Sequence, residues 1–212
     1  MFEESSRITR ILLIAVIAAA LYFGRHQGGS RNAVAGIGEP VQTKATGGTQ
    51  LTVDDYNVRI SYLYAYDIEA LVVSTHNYHG SDLGDQLSPK DLALAWGKVA
   101  EYNDRIDFHW TQSGRWYHWS TDTYEELIPV GGVDGVSFHS CNNHLIPADD
   151  SVRDSVKQIK TGDHIRLNGY LVNVDGTKSN GSTFTWHTST TREDTGGGAC
   201  EVIYVTSVTW LP

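Results

Sequence analysis

The chain has 212 residues, a formal charge of −9 and aromatic residues at 10%, with six Trp and eleven Tyr against one Met. An acidic chain disfavours nucleic acid as a partner, because the phosphate backbone is held by cationic surface. The length left after the first segment, roughly 190 residues, is that of one domain. The aromatic content suits a β-rich core or a surface that stacks on ligands.

The first ten residues are polar and their two Glu and two Arg cancel. An apolar run, Ile11 to Phe23, follows and is apolar on every side, unlike the one-sided stripe of a helix on a soluble core. Two readings stand. In one, Ala18 and Ala20 form a cleavage site and the segment is removed. In the other, a helix over residues 8–24 spans the membrane, with Arg7 and Arg10 snorkelling to the headgroups and Tyr22 and Phe23 at the far interface. The bulky residues after the candidate cut favour an uncleaved anchor. The short polar N-terminus then leaves the large C-terminal part outside the cytoplasm, in the periplasm of a bacterium whose inner membrane holds the anchor.

Residues 25–56 are rich in Gly, Thr, Ala and Gln and are expected to be a flexible linker. The globular domain is expected over residues 57–212. RISYLYAY and DIEALVVSTHNY read as strand material. Ser88 as N-cap, Pro89 at the first helical position and a stripe of Leu92, Trp96 and Val99 predict a helix from 88 to about 103. RIDFHW, RWYHW and VSFHS are expected strands. Asp149 and Asp150, with Val152, Val156 and Ile159 on one face, predict a second helix over 149–159. The last third is β throughout, with Gly169 marking a bulge or bend and a hairpin through DGTKSNGS. The class is therefore α+β, mainly β: a bent sheet or barrel-like domain with two short helices behind one transmembrane helix. The stretch from Gly162 to Val172 resembles the barrel strands of OB-type folds.

The segments LSPKDLALAWG, WTQSGRWYHW, HSCNNHLIPA, IKTGDHIRLNGYLV and TREDTGGGACE, in this order, resemble an uncharacterised family of membrane-anchored periplasmic proteins of proteobacteria. The likeness covers roughly residues 57 to 205. It implies an uncleaved anchor and a domain outside the cytoplasm, and it implies no particular activity. The family pattern has a small residue such as Ala where this chain has Cys141, while the Cys200-Glu201 element matches. A disulfide between Cys141 and Cys200 and two separate thiols remain open alternatives.

Three clusters could carry chemistry. His139-Ser140-Cys141-Asn142-Asn143-His144 offers two imidazoles and a thiol, but a zinc site needs three or four ligands, and Asn-rich segments more often cap turns. No metal and no cofactor is therefore expected. The segment Thr190 to Glu201 could present backbone N–H groups and Arg192 to an anion, with Asp194 beside it. Its Cys200 could be a nucleophile served by His144 or His139, though no nucleophile elbow surrounds it. Trp110, Arg115, Trp116 and Trp119 could stack on a sugar, a peptide or a partner's proline.

The expectation is a non-catalytic binding or assembly module, anchored through residues 8–24, that recognises an envelope protein or a cell-wall component. Arg115, Trp116, His139, Asn143, His144, Arg192 and Asp194 are its expected contacts. The alternative is an envelope-acting hydrolase or transferase using Cys200, or His139 and His144, with Arg192.

Overall fold

The computed structural model describes residues 32–191 and 199–212. The expected anchor, together with Arg192 and Asp194, lies outside the described residues. Among the described residues no helix is long and apolar enough to cross a membrane.

The domain is mainly β. Strand β3 (Tyr56–Asn77) is its spine, a 22-residue run in which Val, Ile and Tyr recur without a helix former's pattern. Register shifts between Tyr62 and Tyr64 and between Val72 and Ser74 let it bend twice. It pairs antiparallel with β4 (Lys90–Ala95) and with β8 (His164–Lys178). Strand β4 pairs with β7 (Ser140–Pro147), β7 pairs in parallel with β10 (Glu201–Trp210), and β10 pairs antiparallel with β8. Five strands thus close into a ring. Numbered along the chain, the ring members run 1-2-3-5-4-1 with the third and fifth parallel, which is the connectivity of an OB barrel.

Helix α4 (Asp150–Gln158) joins the third and fourth ring strands, and the Asp149 side chain caps it by accepting from Val152 N. At its other end Lys90 reaches from β4 and donates through Nζ to the carbonyls of Lys157 and Ile159. Burial pushes that ammonium's pKa down from its ordinary value.

The ring does not contain the whole sheet. Strand β2 (Gly48–Val53), the first part of β3, the end of β8 and β9 (Thr183–His187) form an antiparallel flange beyond it. Strand β1 (Val41–Lys44) adds to the middle of β3. The flange has its own core of Val58, Ile60, Val172, Val174, Ile146 and Val202, closed by Leu83 and Leu87 of helix α1 (Leu83–Leu87). The ring core is larger and is built on Ile68, Leu92, Leu94, Trp96, Leu145, Ile165, Leu167 and Ile203.

An insertion of residues 97–139 separates β4 from β7. It holds helix α2 (Gly97–Glu101), a hairpin of β5 (Thr111–Ser113) and β6 (Trp116–His118), a 3₁₀ helix (Tyr124–Val130) and helix α3 (Gly132–Phe138).

Several expectations change. Residues 32–56 are not wholly linker: they carry β1 and β2, and Ile37 is buried in the ring core. Val34 N donates to Ala100 O at 3.1 Å, Gly97 N to Ile37 O at 3.1 Å, and the Trp96 indole to Glu39 at 2.8 Å. The expected helix from 88 to 103 is instead strand β4 followed by the short α2, and Ser88 is the C-cap of α1. Both faces of β4 are buried, so its small apolar residues show no alternation, and the Leu92–Trp96–Val99 spacing mimics a helical stripe. Residues Val136 to Phe138 are helical, and RIDFHW forms no strand. Of HSCNNH, Ser140 to His144 are not a loop but the start of a strand buried along its whole length, and His139 is the C-cap of α3. Four short α-helices and one 3₁₀ helix stand among the described residues, where two were expected. The helix over 149–159 and the hairpin linking β8 to β9 stand as expected.

No disulfide links Cys141 and Cys200. Cys141 belongs to the ring core, whereas Cys200 Sγ lies 3.7 Å from the side chain of Asn142, the next residue on β7. Adjacent strand residues point to opposite faces, which keeps the two thiols apart.

Candidate functional site

In the antiparallel register Asp91 of β4 stands opposite His144 of β7, so both side chains emerge on one face. That face points away from the ring core. Along β7 it presents Ser140, Asn142 and His144 before reaching the apolar Ile146, all of them buried. A fully buried row of polar side chains is stable only when its groups are paired. The partners come from the insertion.

The β5–β6 hairpin lies over this row. Gln112 donates to Asn142 Oδ1 at 2.6 Å, Asn142 donates to the Arg115 carbonyl at 3.1 Å, and the Tyr117 hydroxyl meets Ser140 Oγ at 3.2 Å. At the hairpin tip Gly114 and Arg115 both adopt positive φ, +57° and +71°. For Arg115 this is a conformation that a side chain disfavours, and it aims the guanidinium back at the barrel.

Arg115 enters a socket made by four elements. Its Nη1 donates to Asp91 Oδ1 at 2.8 Å and to the Ser88 carbonyl at 2.9 Å, and its Nη2 pairs with Asp85 of α1. The guanidinium carbon lies 3.4 Å from the ring centre of Tyr78 and 5.4 Å from that of Trp186 on β9. The Arg115 N–H donates to the Tyr78 hydroxyl at 3.0 Å. His144 completes the group, with Nδ1 3.0 Å from Asp91 Oδ1 and its ring 4.3 Å from Trp186. Asp91 is fully buried, and a carboxylate there is tolerable only beside a cation such as the Arg115 guanidinium. Burial, and next the Asp91 carboxylate, push the Tyr78 phenol up to about 12. Burial likewise pushes Tyr117 up to about 12, against the opposing effect of its bond to Ser140.

The expected site residues separate. Arg115 and His144 meet on Asp91. Trp116 turns outward and is exposed. His139 caps α3 and lies between Glu39, 3.1 Å from Nε2, and the Gly135 carbonyl, 2.7 Å from Nδ1. Asn143 faces the ring interior, donating to Leu92 O and Cys141 O. Cys200 adjoins Asn142, while both histidines are engaged by the carboxylates just named. Among the described residues no three His, Cys, Asp or Glu side chains are grouped to hold a metal ion.

Asp85, Asp91, Tyr78 and Trp186 escaped the sequence reading as site residues, and Asn142 entered it only as a member of the His139–His144 cluster. One signal was present. An acid at the head of the apolar run Leu92–Trp96 needs a buried cation, and Arg115 stands in the next aromatic segment.

No protein-family model, curated protein or solved structure matches the chain.

Proposed function

We propose that the protein is a non-catalytic binding or assembly module, held at the outer face of a cytoplasmic membrane by residues 8–24, that docks an envelope protein through its insertion. One observation carries this. Of the large apolar side chains exposed among the described residues, Trp116, Tyr124, Ile128, Val133 and Phe138 all lie in the insertion, and only Val41 and Trp210 lie elsewhere. Tyr124 and Ile128 are 76% and 74% exposed. Exposed apolar groups concentrated in one segment of a chain favour an interaction surface, whereas singly scattered ones do not.

The charge of the same surface selects the partner. Between residues 120 and 138 stand Asp122, Glu125, Glu126 and Asp134, with no Lys or Arg. The 3₁₀ helix and α3 that carry them pack on each other. An apolar centre with an acidic rim is complementary to a protein face of apolar side chains ringed by Lys and Arg. The same surface acidity opposes nucleic acid, whose phosphates need cationic groups.

The test uses the full chain in its own membranes, with a photoreactive residue in place of Ile128 and, as control, in place of Arg59 on the flange. A protein adduct is expected from position 128 alone, weakened at least tenfold by Glu125→Lys with Glu126→Lys and by added salt. Equal adducts from both positions, indifference to charge reversal, or adducts only to cell-wall polymer or lipid would each refute the reading.

A further inference from the structure

We propose that the socket filled by Arg115 is a recognition site for the guanidinium group of an arginine-bearing peptide segment, with the β5–β6 hairpin as its resident occupant. The inference stands on residues other than the 120–138 surface, so either can fail alone.

The socket has the chemistry of a guanidinium site. A planar, delocalised cation is held best by an aromatic face on one side and carboxylates in its plane. Tyr78 supplies the face, Trp186 a second wall, and Asp85, Asp91 and the Ser88 carbonyl the acceptors. The resident arginine shows that the site takes this group.

The resident does not use the site fully. Arg115 meets Asp91 through Oδ1, and Asp91 Oδ2, although buried, has no hydrogen-bond partner among the described residues. The Gln112 Oε1 atom on the same hairpin is equally without one. Arg115 reaches the socket from a tight turn, which fixes its angle of approach. Arg115 pairs with Asp91 through Nη1 and with Asp85 through Nη2, and an arginine on a separate chain, free of the turn, has Asp91 Oδ2 open to it besides.

The hairpin is also short. Its strands have three residues each, too few to be stable without support. It meets the barrel through side-chain hydrogen bonds, Gln112 to Asn142 and Tyr117 to Ser140, and through the packing of Tyr117 on the ring core. Polar groups on both sides keep their hydrogen-bonding capacity when the surfaces part and water enters, whereas an apolar core wall does not. Arg115 is in the left-handed region, so release also relieves backbone strain.

The experiment uses the full chain and Nα-acetyl-arginine amide, with Nα-acetyl-lysine amide at equal ionic strength as control. In the unsubstituted protein, hydrogen exchange at Gln112 and Tyr117 should accelerate several-fold with the arginine compound and not with lysine. Arg115→Ala should lower the melting temperature, recover it on adding the arginine compound, and bind that compound at least tenfold more tightly than the unsubstituted protein does. Asp91→Asn combined with Arg115→Ala should abolish recovery. Hairpin exchange that ignores the arginine compound would overturn the proposal even if Arg115→Ala is rescued, because Arg115 would then be a fixed structural residue. Equal rescue by lysine, or rescue that survives Asp91→Asn, would overturn it as well. Should Arg115→Ala not fold, the exchange measurement on the unsubstituted protein decides alone.

Discussion

Tyr117 illustrates what a single side chain contributes to this domain. Its phenol lies between the hairpin and β7, against Ser140, and burial holds its proton until about pH 12. Tyr78 is held similarly beside Asp91. The folded state therefore binds these protons more tightly than the unfolded chain, whose phenols titrate near pH 10. The stabilisation is complete below pH 10 and is lost between about pH 10 and pH 12, because the unfolded chain ionises first. Urea unfolding at pH 9 and at pH 11.5 should show the midpoint falling, and Tyr117→Phe should make the fall shallower. An equal fall in both proteins would mean that Tyr117 does not contribute. At this scale the sequence was half informative. Arg115 stood out among its tryptophans as a residue with work to do. Its partners Asp85 and Asp91 lie 30 and 24 residues away, and no local pattern joins them.

Among the elements, those decided by local chemistry were the readable ones. Helix α4 follows from an aspartate cap and valines one turn apart, and its bounds match the expectation closely. Strands β4 and β7 were misread because both of their faces are covered. Lys90, Asp91, Asn142 and His144 are polar residues inside a sheet, satisfied by groups from distant segments, and turn-forming residues in such places look like a loop. Gly169 was expected to mark a bulge. The shift in register lies opposite, between Val205 and Ser207 on β10, and Gly169 is the residue that lets the two strands approach there. A Cβ at 169 would stand 2.0 Å from the Tyr204 carbonyl oxygen. Gly169→Ala should accordingly cost about 2 kcal/mol or more, seen as a lower denaturant midpoint with an unchanged slope. A cost near zero would show that β10 can shift without loss.

For the whole molecule, the ring and the flange are not separable units. Strands β3 and β8 run through both, paired from Tyr56 with Lys178 to Leu71 with His164. Neither core can be exposed without breaking strands that line the other. Unfolding followed by far-ultraviolet circular dichroism and by tryptophan fluorescence should give coincident transitions. Trp186 reports the flange and Trp96 the ring. Two separated transitions would divide the domain. The mainly β class and the one-domain size were legible from composition and turn spacing. A bent sheet and a barrel-like domain were both expected; the choice between them was not legible, because closure depends on β3 meeting a strand about a hundred residues further on.

That same pairing has a consequence in time. As the chain is synthesised, β3 emerges with the edge that belongs to β8 still open. It stays open until residue 178 has been made, 101 residues after Asn77. At about 5–20 residues per second the wait is roughly 5–20 s. Through that interval a long strand rich in Val, Ile and Tyr has an unsatisfied edge, the condition under which strands pair with other chains. The length of that interval is set by the order of the strands along the chain, and a chaperone that shields residues 56–71 would act within it.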